Sequence, residues 1–199
     1  MNRPLNHPAF RPLKAHLALL GCLVSLLWII ESVNVVFGGA LNQFGIVPRT
    51  QQGLYGILFA PFLHANFAHL IANTVPLITL GWFVMVRRIS DFYRVSLVSM
   101  LIGGLGTWLL GSSGTVHIGA SGVIFGYFGF LVSRGFFERS AVSVLLSIGI
   151  AIAYGSLLWS VLPGQAGISW EGHLSGFIGG LLAARLVARN SKRGRNGTV

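Results

Sequence analysis

Six stretches of the chain are long and apolar enough to approach what a bilayer demands, and nothing else in the sequence constrains the fold as much. A helix crossing the hydrocarbon core needs about 20 mostly apolar residues. The stretches run from Leu17 to Phe37, Ala68 to Val86, Phe92 to Leu110, Ser121 to Ser133, Ala141 to Val161 and His173 to Ala188. Charged residues make up only 9% of the 199-residue chain, against about 25% in a soluble domain. This balance predicts an all-α membrane protein in which residues 17–189 form one six-helix bundle. Residues 1–16 precede it and a basic tail, 190–199, follows. A single cysteine, Cys22, allows no internal disulfide.

The formal net charge is +10, which alone would suit a nucleic acid. Position argues otherwise, because the cations lie between the apolar runs and at the two ends. With the N-terminus inside, Arg49 is the one member of the 14 Lys and Arg residues assigned to an outer loop. The positive-inside rule then predicts both termini in the cytoplasm and an even number of spans. Arg3, Arg11 and Lys14 imitate the start of a signal peptide. The apolar run after them is too long for one, and no small-x-small cleavage site follows, so a retained helix is expected. The charge bias suits a bacterial inner membrane, with the tail resting on anionic headgroups.

The fourth stretch is short. Ending at Ser133, it makes about 20 Å of helix against a core of roughly 30 Å. If Arg134 marks the inner interface, Ser121 is expected on the order of 10 Å below the outer surface. The glycine-rich segment 111–120 must dip inward to reach it. Irregular backbone at that depth requires burial in protein or contact with water, so a depression open to the outside is expected.

Spans two, four and six all start at the outer face, and each start carries polar residues. They read "HANFAHLIANT" (64–74), "GASG" (119–122) and "GHLSG" (172–176). His69 and Asn73 are four apart and share a helical face. Gly172, Gly176, Gly180 and Ala184 recur every four residues, as do Gly122 and Gly126. Such stripes allow close approach of membrane helices, which would bring Ser121 beside His173. A serine becomes a good nucleophile when an adjacent base takes its proton, and His173 is placed for that. The oxyanion formed after attack needs fixed donors. Asn73 and His69 could provide them, with the Ser121 N–H at the helix start. His117 acquires no role, His7 and His16 read as incidental, and Glu31 reads as a structural carboxylate.

These residues resemble the rhomboid intramembrane serine proteases over nearly the whole chain. Three motifs carry the resemblance: His-x4-His-Leu-x2-Asn in "HANFAHLIAN", Gly-x-Ser-Gly in "GASG", and Gly-His-x2-Gly in "GHLSG". The resemblance implies a six-helix core, a Ser–His dyad and no cofactor. Ser121 is then the nucleophile, His173 the general base, and Asn73 and His69 the oxyanion-hole side chains. His64 steadies the first outer loop, and Gly119 belongs to the serine motif. Two positions depart from many relatives. Tyr55-Gly56 stands where Trp-Arg is common, and Phe125 stands where a tyrosine stacks on the histidine.

The implied function is endopeptidase cleavage of single-pass transmembrane proteins within the lipid bilayer, through an acyl-enzyme. The alternative is a catalytically silent relative that binds transmembrane helices, against which the intact Ser121 and His173 argue. A metal enzyme is disfavoured, because His64 and His69 are poorly spaced for one helical face and no His-Glu-x2-His occurs. A transporter is disfavoured because no repeat relates spans one to three to spans four to six.

Overall fold

The computed structural model describes residues 11–165 and 167–196. The predicted segment 1–16 therefore lies outside the described residues up to position 10, as do residues 197–199 of the predicted tail. Among the described residues the elements are helical: α1 (Arg11–Val36), α2 (Gln51–Phe59), α3 (Phe67–Met85), α4 (Ile89–Leu110), α5 (Ser121–Glu138), α6 (Ala141–Tyr154) and α7 (Trp170–Asn196). Short 3-10 turns cover Ala40–Phe44, Ala60–Phe62 and Gly155–Val161. One isolated β-bridge joins Ile46 to His117.

Four of these segments are long and apolar enough to cross a membrane: Leu13–Val36, Phe67–Met85, Ile89–Leu110 and Ala141–Val161. Large apolar side chains such as Leu17, Ile29, Val142 and Ile152 stand exposed on them. That is the surface of a protein solvated by lipid. The other two predicted spans, in α5 and α7, are the helices whose apolar content glycine, serine and charge dilute. Helices at the centre of a bundle face protein, and small residues suit them better than bulky ones. In α5 every residue from Val123 to Leu131 is buried. Tyr127, Phe128, Phe130 and Leu131 form the middle of the core, with Leu27, Leu70, Leu80 and Val95 packed from the surrounding helices.

Two boundaries differ from expectation. The helix that begins at Ser121 runs 18 residues, to Glu138, about 27 Å at the usual rise. Arg134 does not end it, because this side chain is buried and paired with Glu138 one turn on, at 3.0 Å. The length of α5 therefore does not set Ser121 below the outer surface. At the C-terminus, α7 continues to Asn196 through what reads as a polar tail. Lysine and arginine are good helix formers and favour a helix C-terminus.

The contact between α5 and α7 is the closest in the bundle. A Cβ on Gly176 would meet the Gly122 carbonyl, and one on Gly180 would meet the Gly126 carbonyl and the Phe130 amide. Gly129 faces the Phe177 carbonyl in the same way. The two backbones touch with no side chain between them. This brings the first turns of α5 and α7 together.

Candidate active site

The serine motif occupies the start of α5. Gly119 has φ +119°, a conformation that residues with a Cβ rarely adopt. Its N–H donates to the Ala60 carbonyl at 2.9 Å, which ties this turn to the end of the first outer loop. Ala120 caps α5 without a side-chain hydrogen bond, and the Ala120 carbonyl accepts from Val123 and Ile124. The amides ahead of them, at Ser121 and Gly122, are those a helix start leaves without intrahelical partners. A methyl on Gly119 would stand 2.8 Å from His69 Nε2 and 3.8 Å from Ser121 Oγ. The imidazole of α3 and the hydroxyl of α5 thus converge on this glycine.

His173 lies in the first turn of α7 and is buried. Phe125, one turn below Ser121, stacks on it with ring centroids 4.1 Å apart and planes 9° from parallel. The other side of the histidine's environment is the 3-10 turn before α7. There His173 Nδ1 lies 3.0 Å from the Ser160 carbonyl and 3.2 Å from Ser160 Oγ. A carbonyl only accepts, so Nδ1 carries the proton and Nε2 keeps a lone pair. The Ser160 hydroxyl in turn donates to the Leu157 carbonyl at 2.8 Å. The sequence carries no mark of this partner, since the shorter bond uses main chain that every residue possesses.

Asn73 is buried in α3, and its Nδ2 donates to the His69 carbonyl at 2.9 Å. That bond consumes one of its two N–H groups and orients the other. Asn66 caps α3, its side chain accepting from the His69 amide at 2.9 Å. His64 is fully buried under His69, ring edge to ring face, with centroids 5.1 Å apart. Burial and the neighbouring His69 hold its pKa down to about 4. Its carbonyl accepts from Asn34 Nδ2 at 3.3 Å. Asn34 also reaches Glu31 and Asn42, so Glu31 is part of a buried polar knot joining α1 to the outer loop.

Arg49 anchors that loop where Tyr55-Gly56 leaves it without the Trp-Arg pair. Its guanidinium donates to the Leu109 and Gly111 carbonyls at 3.0 and 2.8 Å and to Ser113 Oγ. Trp108 Nε1 returns a bond to the Thr50 carbonyl at 2.8 Å. The helix α2, not expected from the sequence, starts at once after this clamp, its first turn capped by Thr50. His117 lies in the segment before α5 and is tied to the start of α7 through Ser169. It bridges Thr115 Oγ1 and Ser169 Oγ at 2.8 and 2.7 Å, and its main chain pairs with Ile46. Burial lowers its pKa, with Glu171 opposing. His16 is at the far end of the bundle, edge-on to Trp82.

A cavity of about 40 Å³ adjoins Ser121. Its walls are mostly apolar, with Ser99, Thr107, His117 and Ser169 among them, and Ser99 Oγ is buried with no hydrogen-bond partner among the described residues. Ser121 and His173 thus occupy the adjoining first turns of α5 and α7, linked by the Phe125–His173 stack and the Gly122–Gly176 contact, beside a small cavity.

Comparison with known proteins gives the family. The Rhomboid domain description matches residues 51–190. An uncharacterized protein of Mycobacterium tuberculosis is 41% identical over 180 residues, covering 86% of this chain and 75% of its own length. A Mycobacterium bovis protein, also uncharacterized, gives the same figures. One from Mycobacterium leprae is 38% identical, with 71% of its length covered. The chain is an integral membrane protein and belongs to the rhomboid family.

Proposed function

We propose that this protein is an intramembrane serine endopeptidase that cleaves transmembrane segments of single-pass membrane proteins. The observation that carries the reading is the state of His173. Its Nδ1 proton is engaged by Ser160 and its ring is held by Phe125. That leaves Nε2 as a base in the first turn of α7, packed against the start of the helix that bears Ser121. In this reading a substrate helix enters laterally and unwinds locally at small, helix-destabilising residues, because helical hydrogen bonds otherwise shield the scissile carbonyl.

His173 Nε2 takes the Ser121 proton as Oγ attacks the carbonyl carbon. The oxyanion is met by the free Asn73 N–H, by His69 and by the amides opening α5. The new imidazolium is stabilised at Nδ1 by both Ser160 oxygens and gives its Nε2 proton to the leaving amine. The acyl-enzyme is then hydrolysed by water. The cavity beside Ser121 has room for roughly two or three waters; His173 Nε2 takes a proton from the attacking water and returns it to Ser121 Oγ as the acyl bond breaks. No cofactor takes part. Both termini lie in the cytoplasm of a bacterial cell, and the site opens to the outer side.

The test is cleavage of a single-pass model substrate in liposomes. Ser121→Ala and His173→Ala are each expected to abolish fragments while the protein keeps its helical content. Wild-type cleavage by Ser121→Ala would remove the mechanism. A folded wild type that binds such substrates and never cuts them would favour a silent helix-binding relative.

A further inference from the structure

At the opposite end of α5 from Ser121 lies a larger recess, about 410 Å³, among the end of α3, the last turns of α5, the start of α6 and α7. Its polar wall holds Arg87, Arg134 and Glu138, and its apolar wall holds Phe137, Val142 and Leu146. Glu138 is fully engaged. One carboxylate oxygen takes Arg87 at 2.8 Å and Arg134 at 3.0 Å, and the other takes the Ser143 hydroxyl at 2.6 Å. Two guanidiniums against one carboxylate leave the wall with a net charge of +1. The other buried acid at this end, Asp91, does not line the recess but interacts with Arg134 as well as with Arg94 and Arg88, so that four guanidiniums at this end, with Arg87, face the two carboxylates of Glu138 and Asp91.

The two arginines differ in setting. The Arg134 side chain is 5% exposed and lies over the Phe130 ring, whereas that of Arg87 is 42% exposed at the rim. A surplus of guanidiniums this close to hydrocarbon is costly, and an anionic group at the Arg87 rim offsets it. A guanidinium matches phosphate oxygens through paired N–H bonds. The apolar wall is open to the bilayer, with Val142 76% exposed. A free phosphate would leave that wall unused, but a lipid would cover it. We propose that the recess binds one anionic phospholipid, its phosphate on Arg87 and Arg134 and the start of an acyl chain along Phe137, Val142 and Leu146. Basic recesses between membrane helices suit such headgroups.

Native mass spectrometry of the full chain, titrated in detergent with phosphatidylglycerol, phosphatidylcholine or glycerophosphate, tests this. The expected result is one tightly held phosphatidylglycerol per chain, with a Kd at least tenfold below that of phosphatidylcholine and little binding of glycerophosphate. Arg87→Gln removes a rim charge, and Val142→Trp fills the apolar side from an exposed position without touching the ion pairs. Each is expected to weaken phosphatidylglycerol about tenfold. Unchanged binding in both variants overturns the site. Glycerophosphate binding as tightly as the lipid overturns the lipid assignment.

Discussion

Asn73 has one N–H committed to the His69 carbonyl and one left to offer. In the proposed chemistry that remaining group meets the oxyanion beside His69 and the α5 amides. Loss of a single donor of this kind costs about 10²–10³ in rate. Because the donors share the load, Asn73→Ala is expected to lower kcat by about 10- to 100-fold, with KM little changed. Steady-state cleavage in detergent measures it. His64 makes a different prediction. Its folded pKa is about 4 against an ordinary value of 6.5, and the cause is burial followed by the nearby His69. Between those values the unfolded chain binds a proton that the folded chain refuses, so stability falls as pH drops from 6.5 towards 4. Melting temperatures across that range are expected to decline in the wild type. They should decline less steeply in His64→Phe.

At the level of elements, the α5–α7 contact decides whether the two proposed reacting helices start at the same place. Gly176 abuts the Gly122 carbonyl with no room for a Cβ. Gly176→Val should therefore force the helices apart, at a cost of about 1–3 kcal/mol, and should lower both the melting temperature and cleavage. Gly149, in α6, is the opposite case: a methyl added there would meet nothing within 4 Å among the described residues. Gly149→Ala is expected to leave activity intact and to raise helix stability slightly, by up to about 1 kcal/mol. Thermal melts of the two variants, taken together, separate packing glycines from incidental ones.

The glycine repeats that make the contact are visible in the sequence, because a four-residue spacing of small residues has few other uses in an apolar helix. The length of α5 is not visible. Arg134 reads as an interfacial residue, and its pairing with Glu138 appears only when Ser143 and Arg87 arrive from other elements. The Arg49 clamp escapes for the same reason, as its acceptors are mostly main-chain carbonyls of a distant loop.

Across the whole molecule, a strongly apolar shell surrounds a centre of small and polar residues. The outer helices read directly as spans, because lipid tolerates little but hydrocarbon on their faces. The two central helices are harder to recognise by composition, since they face protein. Their polar starts, with that of α3, are what make the motifs legible: polar residues interrupt apolar runs at three points, and the chain direction sets those points on one side. Ser160 is not legible, because its shorter contact with His173 is through main chain and it sits in a turn with no distinguishing composition. The basic end of the bundle, carrying Arg87, Arg134 and the recess, is remote from these starts, so a substitution there tests lipid binding without touching the proposed dyad.

The most direct test of the central proposal is covalent labelling of Ser121. Purified wild type, Ser121→Ala and His173→Ala, reconstituted in liposomes, are treated with a fluorophosphonate, and the adduct is located by peptide mass spectrometry. A nucleophilic Ser121 activated by His173 predicts one adduct, on Ser121, absent from Ser121→Ala and strongly reduced in His173→Ala. Folded wild-type protein with no adduct on Ser121, or equal labelling of Ser121 without His173, would contradict it.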